Sequence, residues 1–221
     1  MSYEIFLRSH QLLTAGIWVA LWYHISGANS VVKWYVLGVA IGSGVITTAH
    51  GLHILIRHRL FYHGSPRVLV RGTGTSASLH IYSPVKIRYQ AGQYINLYMP
   101  TMGVRSFFET HPFIVIAVTD EGAGQCSRVM VKAARGWSRR LLEHAELSVS
   151  RELSSSVAFF SGPHGRPISV NEYGTVILVA SQWGIMAQLP YLKHLVGSSY
   201  NRCTKVQRAC LLWQLDHLGR F

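Results

Sequence analysis

The sequence predicts a membrane protein of several domains: two transmembrane helices, an antiparallel Greek-key β-barrel, and part of an α/β dinucleotide-binding lobe. Three observations support this order. Two long segments near the N-terminus carry no charged side chain, short β-rich runs follow from Arg67, and an apolar run at 175–180 begins a strand–turn–helix pattern. The predicted domains span residues 1–60, 66–166 and 172–221.

Composition favours a membrane protein and argues against a nucleic-acid partner. Apolar residues make up 49% of the 221-residue chain and charged residues only 14%, too few for an ordinary soluble surface. The net charge of +12 comes from scattered residues without a basic block or a nucleic-acid motif, which favours membrane-flanking and phosphate-binding cations. The three cysteines contain no C-x-x-C pair, which excludes a disulfide framework and a cysteine-based metal site.

Both uncharged segments, Ser9–Val32 and Trp34–Ile56, are long enough to cross a bilayer, whose apolar core needs about 20 helical residues. The predicted helices span about 9–27 and 34–56. Arginines follow the second segment closely, so the positive-inside rule places the chain from about Arg57 onward in the cytosol. We therefore expect a multi-pass membrane protein, with the lipid bilayer as a partner and a cytosolic second half.

Two histidines lie within the first segment. His10 and His24 are fourteen residues apart, close to four helical turns, so both rings leave one face about 21 Å apart. Imidazoles in a bilayer are costly and usually functional, and haem iron commonly takes histidine as an axial ligand. The alternative, that His10 lies in the interface and His24 caps the other end, is equally supported. His50 and His53 are three apart and cannot match this pair, so the partner helix for two haems is not found in the sequence.

The β-rich part predicts an antiparallel barrel, because its strands follow one another without intervening helices. Five runs have the composition of strands: Val68–Arg71, Ala77–Tyr82, Gln93–Tyr98, Phe113–Val118 and Arg128–Ala133.

Two motifs in this part indicate a cofactor site. Gly92-Gln93-Tyr94 and His111-Pro112-Phe113 are interpreted as two adjacent strands that form a shelf for a flat aromatic cofactor. Because membrane helices precede them, the pair points to a reductase that moves electrons across a bilayer.

A phosphate site is predicted immediately after the last barrel strands. Lys132 ends a strand, Gly136 turns the chain, and Ser138 is placed to cap a short helix. A helix N-terminus with nearby cations is a ready anion site and fits a cofactor pyrophosphate. The alternative is a capped helix with a solvated basic face, which the His-Pro-Phe motif upstream makes the weaker interpretation.

A nucleotide-binding unit follows the barrel. Gly162–Gly165 is predicted to be a tight loop that ends the barrel, and Thr175–Ala180 to be a buried parallel strand. A turn, a helix and a second strand at Arg208–Leu215 complete the first unit of a dinucleotide-binding fold. Such turns carry glycines where the backbone approaches pyrophosphate; here Gly184 is present and Gln182 stands at the other position.

In their order and spacing, these motifs resemble the fungal ferric reductase family, relatives of the NADPH oxidases, over nearly the whole chain. The resemblance implies an oxidoreductase of the ferric-chelate reductase (NADPH) type with a flavin-binding domain of ferredoxin-reductase type. It implies transmembrane electron transfer from NADPH through FAD and haem b to ferric or cupric ion, in iron transport at the plasma membrane, with the flavin domain cytosolic.

The resemblance also implies roles for individual residues. The FAD-binding set is His111, Pro112, Phe113, Ile114, Lys132, Gly136 and Ser138. The NADP-binding set is Gly162, Pro163, Gly184 and Ile185, and the haem-iron ligands are His10 and His24. No catalytic side chain is implied.

The sequence departs from the family pattern at four places. Ile114 stands where the family has a small hydroxyl residue or valine, and the Cβ of Gln182 could block a pyrophosphate. We also expect the chain to be truncated at both ends, within the haem domain and before the end of the nucleotide lobe. The alternatives are therefore a truncated, non-catalytic, membrane-anchored flavin-binding remnant, or a superoxide-producing protein of the NADPH-oxidase type.

Overall fold

A computed structural model describes residues 3–27, 30–57, 65–73, 75–102, 109–122, 124–133, 136–149 and 155–215. The chain divides into two compact units, Met1–Arg57 and His58–Phe221.

The first unit consists of two helices. Helix α1 spans Tyr3–His24, a short 3-10 helix covers Ile25–Gly27, and helix α2 spans Ser30–Arg57. Within the described residues, the segment Ser30–Ile54 is the one helix long and apolar enough to cross a membrane, so α1 does not meet the criterion that the two-span prediction requires. The polar residues His10, Gln11 and His24 within the first segment are the physical reason.

Hydroxyl side chains in α2 are satisfied within the helix. Ser43, Thr47 and Thr48 each donate to the carbonyl four residues earlier, at 2.8, 2.9 and 2.9 Å. All three hydroxyl groups therefore donate within the helix and need no solvent acceptor, which suits a helix in an apolar environment.

The second unit begins with two antiparallel sheets. The five-stranded sheet has the order β5-β6-β2-β1-β7, and the three-stranded sheet has the order β4-β3-β8. The strands are β1 Arg67–Thr73, β2 Ser76–Ser83, β3 Tyr94–Tyr98, β4 His111–Ile114, β5 Ala117–Glu121, β6 Gly124–Lys132, β7 Ser156–Val157 and β8 Phe159–His164. Helix α3, Trp137–Val149, follows β6.

One hydrophobic core joins the two sheets and α3. Every second residue of β2 points inward, as the period of a strand requires, and Leu79 and Ile81 are both 0% exposed. Ile95 and Leu97 contribute from the three-stranded sheet, and Leu141 contributes from α3. The sheets and the helix therefore form one lobe, which we call the flavin lobe (residues 65–165).

One strand prediction and one loop prediction in this lobe are wrong. The run Phe113–Val118 is not one strand: β4 ends at Ile114, and β5 begins at Ala117 against a different sheet. Between them Val115 is buried, and the amide of Ile116 donates to the Arg128 carbonyl at 2.9 Å, so the run passes from one sheet to the other.

The predicted tight loop at Gly162–Gly165 lies largely within strand β8, which ends at His164. Only Gly165, with a φ of 89°, lies beyond the strand. The glycines that suggested a turn serve another purpose: Gly162 and Gly165 both adopt positive φ values, which glycine adopts without strain.

The rest of the second unit is the nucleotide lobe, residues 166–215. Strand β9 (Thr175–Ser181) pairs in parallel with β10 (Arg208–Gln214), and helix α4 (Ile185–Tyr200) connects them through a 3-10 turn at Gln182–Gly184. This confirms the predicted strand–turn–helix–strand order.

The prediction that Thr175–Ala180 is buried is wrong for one of its two faces. Val176 and Leu178 pack under α4, whereas Ile177 and Val179 are 60% and 63% exposed. Among the described residues, β9 is covered on the helix side alone.

Candidate flavin and nucleotide sites

The two cofactor motifs lie side by side, as the sequence predicts. Strands β3 and β4 pair antiparallel, with Leu97 opposite His111 and Ile95 opposite Phe113. Residues opposite each other share a face of the sheet. His111 and Phe113 therefore lie on the face that carries the buried Ile95 and Leu97.

Pro112 and Ile114 lie on the other face. They are paired with Asn96 and Tyr94, and the Tyr94 ring lies 5.6 Å from that of His164 on β8. The His-Pro-Phe-Ile sequence thus divides between two faces, so its four residues do not form one flat shelf.

Trp137, the first residue of α3, closes the inner face of β4. It is 2% exposed, and its ring stacks on His111 with centroids 4.3 Å apart and planes 24° apart. Its centroid lies 5.6 Å from that of Phe113. This aromatic cluster holds the start of α3 against the His-Pro-Phe strand, so the flavin-type motif and the predicted phosphate helix are adjacent.

The N-cap of α3 differs from the prediction. Helix α3 begins at Trp137, which places Ser138 inside its first turn, and the amide of Arg140 donates to the carbonyl of Gly136 at 3.2 Å. Gly136 therefore occupies the cap position, and its φ of 72° lies in the region that favours glycine. Lys132 is exposed at the end of β6, four residues before Gly136.

A buried carboxylate lies beside the aromatic cluster. Glu109 is 5% exposed, and its Oε2 accepts a hydrogen bond from Arg140 Nη2 at 3.2 Å. The same oxygen lies 3.8 Å from His111 Nε2. One carboxylate thus contacts both the His-Pro-Phe strand and α3.

These residues fit a phosphate-bearing cofactor. Arg140 contacts Glu109 through Nη2 while its side chain is 36% exposed, so part of this side chain is open to solvent. Gly136 exposes backbone at the helix N-terminus, where backbone N–H groups and the helix dipole favour negative charge. The start of α3 therefore combines a cationic side chain with backbone N–H donors, the groups that bind anions.

The nucleotide turn lies at the end of β9. Gln182 has a φ of 47°, a left-handed conformation that glycine adopts without strain and other residues rarely adopt. Its carbonyl accepts a hydrogen bond of 2.9 Å from the indole Nε1 of Trp213 on β10. Gly184 and Ile185 follow at the start of α4, and Ile185 is buried. The backbone thus takes a glycine-like shape while the side chain of Gln182 remains.

The predicted NADP-binding residues do not form one cluster. Gly162 and Pro163 lie in β8 of the flavin lobe, beside Tyr94, whereas Gly184 and Ile185 lie in the nucleotide lobe. The described contacts join neither residue of the first pair to the second. His10 and His24 lie on α1, in the other compact unit.

The two lobes contact each other at Gly92. This residue has a φ of 86°, and a Cβ built on it would overlap the hydroxyl of Tyr191 on α4. An open cleft of about 500 Å³ lies next to this contact, between the β2–β3 and β4–β5 connections of the flavin lobe and the middle of α4. Glycine is thus required at position 92 both by its backbone and by the close approach of Tyr191.

The sequence interpretation missed Glu109, Trp137 and Arg140. Two signals were available: Trp137 lies between the predicted site residues Gly136 and Ser138, and Glu109 is one of only nine acidic residues in the chain. An acidic residue two positions before a predicted cofactor motif in so basic a chain is a candidate partner for a functional cation.

Solved structures share the described fold. Its antiparallel sheets with a helix, followed by a parallel β–α–β unit, resemble the fold of ferredoxin–NADP reductase-like proteins. The ferredoxin reductase of carbazole 1,9a-dioxygenase matches with a TM-score of 0.51 and 12% identity, over 68% of this chain and 42% of that one. An NADH-dependent reduced ferredoxin–NADP oxidoreductase matches with a TM-score of 0.50 and 22% identity, over 70% and 49% of the two chains.

Sequence comparisons find an FAD-binding domain and two distant relatives. Residues 72–168 match the model of an FAD-binding domain. The chain is 23% identical over 192 residues to ferric/cupric reductase transmembrane component 7 of two Saccharomyces cerevisiae strains, S288c and YJM789. These similarities support a ferric-reductase-type FAD-binding family. The alignment covers 86% of this chain, which spans 29% of the length of these curated relatives.

Proposed function

We propose that this chain takes part in transmembrane electron transfer from NADPH through FAD and haem to ferric or cupric ion, as a metalloreductase. The observation that carries the proposal is an FAD-binding domain at residues 72–168 that follows a helix apolar enough to cross a bilayer. The relatives are transmembrane components of a ferric/cupric reductase, which supports the membrane location and the acceptor.

The proposed FAD site lies around β4 and the start of α3. Flavins exchange hydride with nicotinamides and also transfer single electrons, which is the chemistry that FAD supplies when bound. His111 and Phe113, held by Trp137, support the flavin-ring end, with Pro112 and Ile114 on the outer face of the same strand. Gly136, Ser138 and Lys132 hold the phosphate end.

The proposed NADPH and haem sites rest on the position of their residues in the helices and strands. Gly184 and Ile185 begin the helix that would receive the NADPH phosphates, with Gly162 and Pro163 on the facing lobe. His10 and His24 would each supply a ring nitrogen to haem iron, which would carry single electrons, and this role rests on their spacing along α1. In this proposal α2 spans the lipid bilayer, α1 lies in the same membrane, and the flavin domain lies in the cytosol at the plasma membrane.

An absorbance spectrum of the full chain, purified from membranes in mild detergent, tests the proposal. Flavin absorption bands and a haem Soret band report the two cofactors separately. We expect the flavin bands, and NADPH-dependent bleaching of them in the absence of oxygen. A preparation that takes up no FAD would overturn the proposal.

A second candidate is a flavin-binding membrane protein without NADPH turnover. The side chain at Gln182 favours it, because a Cβ at a left-handed turn position stands where pyrophosphate-binding turns use glycine. A preparation that binds FAD and is not reduced by NADPH would support this function over the first.

A further inference from the structure

Glu109 is a buried carboxylate with an arginine and a histidine as neighbours on different elements. It is 5% exposed, and a carboxylate removed from water is costly unless it is paired. Its Oε2 lies 3.2 Å from Arg140 Nη2 on α3 and 3.8 Å from His111 Nε2 at the start of β4. The carboxylate therefore ties the His-Pro-Phe strand to the phosphate helix.

This tie acts at the first turn of α3. The Arg140 amide closes that turn on Gly136, while its guanidinium is held by Glu109. Trp137, three residues before Arg140, stacks on His111 with ring centroids 4.3 Å apart. The start of α3 is thus fixed to β4 at two points, one aromatic and one ionic.

The guanidinium of Arg140 has more hydrogen-bond donors than its contact with Glu109 uses. A guanidinium carries five N–H donors in a rigid fork suited to phosphate, and the hydrogen bond to Glu109 uses Nη2. The Nε is buried out of reach of water, whereas the side chain as a whole is 36% exposed. An anion would therefore contact the exposed part of the guanidinium, while Glu109 fixes its orientation from the buried side.

We propose that Arg140 binds the pyrophosphate of FAD and that Glu109 is the positioning residue that orients it. The proposal rests on the proposed FAD site and adds to it a residue pair that decides between flavins. A flavin dinucleotide gains from the oriented guanidinium, whereas riboflavin, which has no phosphate, does not. Glu109 thereby makes the phosphate end of the site dependent on the strand that holds the ring end.

The experiment compares FAD with riboflavin on the full chain in detergent, by quenching of flavin fluorescence. Glu109→Gln and Arg140→Ala are each expected to weaken FAD binding by about tenfold or more, as loss of a charge-assisted contact does, and to change riboflavin binding by less than about twofold. The double variant is expected to bind FAD no more weakly than Arg140→Ala alone, because both changes remove one coupled interaction.

The neighbouring residue provides a matched control. Arg139 forms an ion pair with Glu143 at 3.1 Å, but its side chain is 73% exposed. Arg139→Ala removes the same charge from the same helix turn and is expected to leave FAD binding within about twofold of the wild type. Arg140→Lys keeps the positive charge beside Glu109 but loses the planar guanidinium. It therefore shows whether FAD binding depends on the shape of the guanidinium or on its charge alone.

Three results would overturn the inference. Equal weakening of FAD and riboflavin by Glu109→Gln would indicate a general structural role. Equal effects of Arg139→Ala and Arg140→Ala would indicate long-range charge alone, and full FAD affinity in Arg140→Lys would remove the need for an oriented fork. A wild-type chain that binds neither flavin would instead overturn the proposed function and, with it, this inference.

Discussion

The flavin lobe and the nucleotide lobe are built to different degrees of closure. In the flavin lobe, two sheets and a helix share one core, and residues such as Leu79 are 0% exposed. In the nucleotide lobe, Val176, Leu178 and Leu195 form a small core under α4, while the other face of the sheet is open over the described residues. The difference teaches that a lobe can present the correct strand order for its fold while burying only part of its apolar surface.

The largest expected effect tests this difference with one substitution in each lobe. Leu79→Ala is expected to lower the free energy of unfolding by about 2–5 kcal/mol, since it leaves a cavity in a closed core. Leu212→Ala, at a position 54% exposed on β10, is expected to cost less than about 1 kcal/mol. Thermal or denaturant unfolding followed by tryptophan fluorescence measures both. Similar losses would show that β10 is buried in the protein as it exists in solution.

The next effect tests the contact between the lobes. Gly92→Ala places a methyl group against Tyr191 at a positive φ, and we expect it to cost about 2–3 kcal/mol. Gly122→Ala is the matched control: its φ is 55° and nothing lies within 4 Å of the added Cβ, so the backbone cost of about 1 kcal/mol acts alone. Melting temperatures of the two variants give the steric share by difference. Equal shifts would mean that α4 moves away from Gly92 without cost.

A smaller effect concerns the nucleotide turn. Gln182→Gly relieves a left-handed conformation and is expected to stabilise the protein by roughly 0.5–1 kcal/mol. Arg202→Gly relieves the same kind of strain, at a φ of 55°, at the far end of α4. Both variants should melt at higher temperature, but only Gln182→Gly should gain a further shift from added NADPH. A gain by neither, or by both, would contradict the assignment of this turn.

The smallest effect is a pH dependence in the flavin lobe. Burial, with the charges of Arg128 and Arg71, lowers the pKa of His80 from its ordinary value of 6.5. The unfolded chain therefore binds this proton more readily, so the stabilisation is present above pH 6.5 and declines as the pH falls below it.

Denaturant titrations at about pH 8 and about pH 5 should show a smaller loss of stability at acid pH for His80→Gln than for the wild type. Added salt should narrow the difference, because it screens the two arginines. An unchanged pH profile in the variant would assign the acid sensitivity to other groups.

The local features of the fold could be predicted from sequence, and the long-range ones could not. Strands β3 and β4 are consecutive in the chain and pair, and the β9–α4–β10 order follows from apolar runs and turn residues. The division of 113–118 between two sheets left no signal, since Val115 and Ile116 continue an apolar run without Gly or Pro. Propensity records whether a residue suits a strand, not which sheet the strand joins.

The candidate site shows the same limit. The His-Pro-Phe motif and the turn at Gly136 and Ser138 were found because each is local. The pairing of Glu109 with Arg140 spans 31 residues and depends on how α3 packs. The face of each site residue was also not predictable, because it depends on the register between Leu97 and His111.

Gln182 carries a consequence for how this protein could change. At most functional positions a substitution that opens a site weakens the fold, so activity and stability compete. In the NADPH-binding proposal, the strained backbone and the side chain that would meet the pyrophosphate belong to the same residue, and the Trp213 indole bonds to its carbonyl rather than to its side chain. If NADPH binds at this turn, a change to glycine would leave that bond in place while improving stability and access together, so selection for either property would favour the same substitution.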